Sequence, residues 1–526
     1  MTNKIKIIDL FSGPGGLGEG FAAHRDMFEI AISIEKDPSA QRTLKLRSFY
    51  RSFDEAPKEY YDFLKGKITN QPEDSLYNRT KFSTEVKKSD KESRLLELGK
   101  DNIEIRNSID EAISKEECIL IGGPPCQAYS AAGKSKNKGD STYSLEKDPR
   151  SFLYKEYLEI VARYQPAIFV MENVKGMLSA KLNGKSAFER IYDDLRQPHK
   201  STKTSARSGF SPKDYKLVSF SVPHDDKPFG EQNLKPKDYI IRCEDYSVPQ
   251  KRHRVIIFGI RSDIAKKWTN SLVLRKHNEI VNVESVIRDL PSIRSGLSKR
   301  ENSNKEWESY LKKSLPTVSK DLYREGYTEI AKFIDRKASK IKAPKSNQGA
   351  NFGLKRIKST SSKCPAALTS WYTDERMGNY VVNHESKSHM DSDLHRYFFS
   401  SSWASLAQAN KWPSPFPKSQ HYPESLKPNH KNFNTGKFAD RFRTQSSNMA
   451  SSTVTCHISK DGHAFIHYDP LQCRSFTVRE AARIQTFPDN YFFVGTRTKQ
   501  FEQVGNAVPP YIAFQIAGLV KELLNR

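Results

Sequence analysis

Cysteine is sparse in this 526-residue chain: Cys118, Cys126, Cys243, Cys364, Cys456 and Cys473 form no Cys-x-x-Cys pair and no Cys/His spacing of zinc-ligand type. That argues against a disulfide scaffold and a structural zinc module, so a reduced, cytoplasmic protein without a metal site is expected. Long apolar runs are also missing, and Met1 to Asp9 lacks the apolar core and cleavage site of a signal peptide, so no membrane association is expected. Acidic residues fall short of basic ones, 62 against 86, leaving a formal charge of +24. A surplus of that size suggests a polyanionic partner, nucleic acid first, although a merely solvated basic surface gives the same number. The motifs have to decide.

What is present is an α/β rhythm. Ile5 to Leu10 reads as a buried parallel strand, Phe11 to Gly20 as a glycine turn opening a helix, and Glu29 to Ile34 as a second strand ending at Glu35. This predicts a Rossmann-like, doubly wound sheet. Residues 49–102 are polar, charged and partly helical, and read as an insertion. The rhythm resumes with strands at Cys118–Ile121, Ala167–Met171 and Arg254–Ile260 and a helix at Ser151–Arg163. From Ser262 to Cys473 basic and Ser/Asn-rich stretches with weak periodicity take over, including Lys337 to Lys345. The expected domains are therefore 1–261, a smaller second domain at 262–473, and 474–526 returning to the first. Thr477-Val-Arg-Glu480 has the pattern of a helix capping box, and Pro509 to Leu524 reads as a closing amphipathic helix.

Four constellations carry chemistry. Gly13, Gly15 and Gly18 fit G-x-G-x-x-G between strand and helix, with Glu35 ending the next strand where a carboxylate can accept ribose hydroxyls. An adenosyl-bearing cofactor follows, although a structural glycine turn would look the same. Gly122-Gly-Pro-Pro-Cys-Gln-Ala-Tyr-Ser130 places Cys126 on a rigid loop at the end of a strand, where open α/β sheets bind ligands, a setting less suited to a buried structural thiol. Met171-Glu-Asn-Val174 puts Glu172 at the end of the neighbouring strand as a candidate acid. Pro249-Gln-Lys-Arg-His-Arg254 begins a strand with Arg252 and Arg254 alternating, so both can point to one face.

Together, and in this order, these elements resemble the bacterial cytosine-5 DNA methyltransferase family. Phe11 to Gly16, Pro125-Cys126-Gln127, Glu172-Asn173-Val174 and Gln250, Arg252, Arg254 match its motifs. So do Arg474 to Pro488 and Gln503-Val-Gly-Asn-Ala-Val-Pro-Pro510. The resemblance covers roughly residues 1–48, 105–262 and 474–526. It implies S-adenosyl-L-methionine held by Phe11, Gly13, Gly15, Gly16, Leu17, Glu35 and Asn506, and a base pocket lined by Pro125, Gln127, Asn173, Val174 and Gln250. One departure is Lys36, where relatives often carry an apolar or aromatic residue against the adenine.

The resemblance also implies the mechanism. Carbon 5 of cytosine is a poor nucleophile until a group adds at carbon 6, so Cys126 attacks there. Glu172 assists at N3 and the exocyclic amine, and Arg254, with Arg252 beside it, holds O2. The base has to leave the duplex first. The implied partners are double-stranded DNA read by residues 262–473 and a cognate restriction endonuclease, with the enzyme itself a monomer. A hydride-transferring oxidoreductase would leave Cys126, Glu172 and the charge without a task. A zinc deaminase would need a cysteine where Tyr129 stands. A solitary regulatory methyltransferase and an RNA cytosine-5 methyltransferase stay open as alternatives.

Overall fold

The apolar runs become neighbouring strands of one eight-stranded sheet in the computed structural model of the chain, which describes residues 4–68, 72–125, 153–182, 185–207, 209–223, 234–269, 271–356, 364–410, 412, 414–429, 433 and 441–526. The strands are β1 (Ile5–Leu10), β2 (Phe28–Glu35), β3 (Ser93–Leu95), β4 (Cys118–Gly122), β5 (Ile168–Val174), β6 (Tyr215–Val218), β7 (Ile240–Arg242) and β8 (His253–Arg261). Their order is β3-β2-β1-β4-β5-β8-β6, with β7 also paired to β8. The first five run parallel, and β8 is antiparallel to β5, β6 and β7.

Side chains alternate between the two faces with the strand period of two. Ile7, Ile119, Ile121, Ile168 and Val170 enter one core, with helices α1 (Gly16–Ala22) and α7 (Pro510–Asn525). Ile8, Leu10, Leu120, Phe169 and Met171 enter the other, with α4 (Asn102–Ile113), α5 (Leu153–Tyr164) and α6 (Ala187–Arg196). Helices on both faces make this the doubly wound, Rossmann-like α/β fold expected from the sequence. Its strand order reverses between β1 and β4, which is where such sheets open a crevice for ligands.

Two features of the stretch 49–102 correct its reading as an insertion. Helix α2 (Pro38–Arg51), capped by the Asp37 carboxylate on the Ser39 and Ala40 amides, runs into it, and α3 (Ser83–Glu92) packs against α2. The edge strand β3 then completes the sheet; it is three residues long and carries too little alternation to be read as a strand. Between them, Pro57–Leu76 belongs to a second compact unit with Glu279–Asn506, while Met1–Ala56, Tyr77–Asn278 and Ala507–Arg526 form the first.

The second unit is more regular than its sequence looked. Helices Asn304–Arg324, Thr328–Ala338 and Asp391–Ala409 share a core in which Trp307, Leu311, Leu315, Val318 and Leu322 form a helical stripe. Pro316 and the surrounding lysines mask that period in the sequence. Residues 474–506, expected with the first domain, lie in the second unit, where Arg474 and Arg483 are buried in ion pairs. Arg474 reaches both oxygens of Glu480 at 2.6 and 2.7 Å, and Arg483 holds Asp489 and Asp289. Burial alone would push Asp489 up, but the Arg483 and Arg356 guanidiniums outweigh it and hold the carboxyl at about 2. The capping box forms as read: the Glu480 amide donates to the Thr477 hydroxyl at 3.1 Å, and the Thr477 amide to Glu480 at 2.8 Å. Among the described residues no helix is long and apolar enough to cross a membrane.

Candidate active site

The crevice is built by three strand ends kept level by sheet register. Leu10 pairs with Gly122, and Gly122 with Met171, so the glycine turn after β1, the Gly-Pro loop after β4 and Glu172 on β5 stand in one row. Phe11, Gly13 and Gly15 take positive φ values of 54, 55 and 90°. At Gly13 and Gly15 glycine meets that demand without strain. Gly16 lies against the Val508 carbonyl and Gly20 against the backbone of Ala513 and Phe514, so α1 sits on α7 at backbone contact. The glycines thus set the turn and its distance from the Ala-Val-Pro-Pro segment. Leu17, expected at the cofactor, has its side chain in the core.

Glu35 closes this side. One carboxylate oxygen accepts the Gly13 amide at 2.8 Å and the other accepts those of Lys36 and Asp37 at 2.9 and 2.8 Å. Burial pushes its pKa up while these three donors oppose the rise. Three of roughly four acceptor positions are taken, so a carboxylate held rigidly on the turn keeps capacity for a ribose hydroxyl. The residues fit an adenosyl group. Lys36 pairs with Glu97 at 2.9 Å.

On the other side Arg254 donates from Nε to Glu172 Oε1 at 2.9 Å, both side chains about 15% exposed (15% and 14%). The second Glu172 oxygen faces Gly123: a Cβ there would lie 2.9 Å from Oε2. Arg252 is fully buried, and Arg252, Arg254 and Glu172 all act on the same buried thiol of Cys243. Burial pushes that thiol up to about 12, against the pull of the two arginines, so it is inert. Gln250 is buried, its carbonyl accepting the Arg252 amide at 2.8 Å. Asn173 is buried, with its side-chain oxygen on the Val174 amide at 2.7 Å. Pro125 is half-buried at the mouth of β4. Cys126 and Gln127 lie outside the described residues. Asn506 is exposed at the end of helix Arg497–Asn506, in the second unit rather than the unit that carries the glycine turn.

Two residues here were missed by sequence reasoning. Gly123 was read only as part of its loop, and its closeness to Glu172 exists only once β4 and β5 pair. Asp9 lies buried below the turn, its carboxylate against Gly18, and burial pushes its carboxyl well above the ordinary value. An acid among Ile7, Ile8 and Leu10 was the available signal.

A sequence profile of the family described as C-5 cytosine-specific DNA methylase matches residues 91–198 and 229–522. The chain belongs to this family. Among its relatives, the type II methyltransferase M.Bpa9945I of Bacillus paralicheniformis is 31% identical over 99% of this chain and 99% of that protein. M.DdeI of Desulfomicrobium norvegicum, also a type II methyltransferase, is 24% identical over 98% of this chain and 88% of its own length. In fold, the chain is similar to the crystal structure of a candidate DNA modification methyltransferase encoded within an E. coli prophage, at a TM-score of 0.52 and 19% identity, covering 99% of this chain and 100% of that one. The protein is therefore a DNA (cytosine-5)-methyltransferase, and its methyl donor is of the S-adenosylmethionine type.

Proposed function

We propose that this methyltransferase uses Cys126 as covalent nucleophile on a cytosine flipped out of double-stranded DNA, with Glu172 and Arg254 acting on the ring. The Glu172–Arg254 pair packed against Gly123, three residues before the cysteine, carries this reading. The Cys126 thiolate adds to carbon 6. Glu172 hydrogen-bonds N3 and the exocyclic amine as ring charge develops, and Arg254, with Arg252 behind it, holds O2 and keeps Glu172 in place. S-adenosyl-L-methionine, held by Glu35 and the Gly13–Gly16 turn with Phe11 beside it, supplies an electrophilic methyl group when bound. Loss of the carbon 5 proton and expulsion of the thiolate restore the base.

Residues 262–473, most of them in the second unit, read the target sequence; their abundance of Lys, Arg and Asn suits base edges and phosphates. The type II relatives support a role as the modification partner of a restriction endonuclease, working as a monomer in the cytoplasm where the thiols stay reduced. With 5-fluorocytosine at the target position no proton can leave carbon 5. An adduct that survives denaturant is expected with the wild type and absent for Cys126→Ala. Normal methylation without any adduct would overturn the mechanism.

A further inference from the structure

The basic run Arg336-Lys-Ala-Ser-Lys-Ile-Lys-Ala-Pro-Lys345 holds five cations and no acid. Arg336 and Lys337 belong to the last turn of helix Thr328–Ala338, where the helix dipole favours cations and no partner needs to be invoked. Lys340, Lys342 and Lys345 lie beyond the helix end and lack that explanation. Their segment is pinned to the second unit. Ile341 is buried in the core, the Ala343 amide donates to Glu308 at 3.1 Å, and the Pro344 carbonyl accepts the Asn347 amide at 3.0 Å. With Ile341 turned in, Lys340 and Lys342 on either side are exposed, as is Lys345. Among the described residues none of the three has a carboxylate in ion-pair contact. Glu308, whose carboxylate Lys342 reaches only through space, already holds Lys312 and the Ala343 amide.

Lys340 and Lys342 stand two residues apart, at most about 7 Å along the chain, and Lys345 follows three residues on, at most about 11 Å further, so the three ammonium groups on this anchored backbone can each meet a separate phosphate of a DNA strand. We propose that Lys340, Lys342 and Lys345 form a sequence-independent contact to the phosphodiester backbone of the bound duplex. This rests on the proposal that the second unit engages the target DNA, and it adds where the phosphate grip lies. Such a grip contributes counterion release, not base discrimination.

The test compares full-length wild type, the Lys340→Ala/Lys342→Ala/Lys345→Ala variant and a control, Lys87→Ala/Lys115→Ala/Lys203→Ala, which removes the same charge from exposed positions of the first unit. Affinity for cognate and non-cognate duplexes is titrated between about 50 and 300 mM salt, with thermal melting confirming folding. The slope of log K against log salt is expected to fall by roughly 2–3 for the Lys340/Lys342/Lys345 variant, at about 0.9 per contact, by the same amount on both duplexes, and little for the control. A Lys340/Lys342/Lys345 variant with wild-type slope, a control that falls equally, or a loss confined to the cognate duplex overturns the proposal. If the wild type binds no duplex, the reading of the second unit fails, a result separate from a bound duplex with unchanged slope.

Discussion

Gly123→Ala separates what the site needs for chemistry from what it needs for folding. The new methyl would stand 2.9 Å from Glu172 Oε2, about 0.5 Å inside ordinary contact distance. The atom it meets is the far end of a flexible side chain, so the clash resolves by moving the carboxylate and costs the fold under about 1 kcal/mol. The Arg254 bond on the opposite oxygen and the sheet pairing of Glu172 with Ile256 limit where the carboxylate can go. A 1 Å misplacement of a catalytic group can cost about a hundredfold, so half of that is expected to slow methyl transfer about tenfold, near 1.4 kcal/mol. Gly122→Ala is the contrast: its methyl would meet the Leu10 carbonyl, a backbone atom, at 2.6 Å, a clash expected to cost about 1–3 kcal/mol of stability. Single-turnover transfer to a cognate duplex and thermal unfolding of both variants make the comparison. A Gly123→Ala enzyme that transfers at the wild-type rate, or one destabilised as much as Gly122→Ala, would refute the reasoning.

Asp9→Asn should stabilise the protein increasingly as pH rises. The folded wild type holds the Asp9 proton more tightly than the unfolded chain, so it loses stability from about pH 4 upward, by at most about 1.4 kcal/mol per unit, until the raised folded value is reached. A difference in unfolding free energy that stays flat from pH 5 to 8 would sink this. Ser247 has a left-handed φ of 62° in the turn before β8, a conformation costing about 1–2 kcal/mol against the 0.5–1 kcal/mol of glycine entropy. Ser247→Gly is accordingly expected to raise the urea midpoint by the equivalent of about 0.5–1 kcal/mol, and a lowered midpoint would contradict that. Arg483→Ala strips a guanidinium from the buried Asp489 and Asp289. With Arg356 still in contact with both, the expected loss is about 3 kcal/mol, the low end for a broken buried pair, and a melting curve identical to wild type would rule it out.

Local chemistry carried a large part of this protein. The glycine turn after β1, Glu35 at the end of β2, Glu172 and the alternating Arg252 and Arg254 were legible because strand alternation, turn requirements and capping act between residues a few positions apart. Those signals also sufficed for the doubly wound sheet and the family. The short strands β3, β6 and β7 were not legible, since a few residues on a sheet edge carry no usable period. The stripe in helix Asn304–Arg324 was hidden by Pro316 and a lysine-rich outer face. Only the tertiary structure could assign Pro57–Leu76 and residues 474–506 to the second unit, because their partners, such as Asp289 for Arg483, lie far away in sequence. The same holds within the site. That Gly123 makes room for a Glu172 oxygen while Arg254 holds the other depends on the register of β4, β5 and β8, and register is a property of paired strands that no single stretch of sequence contains.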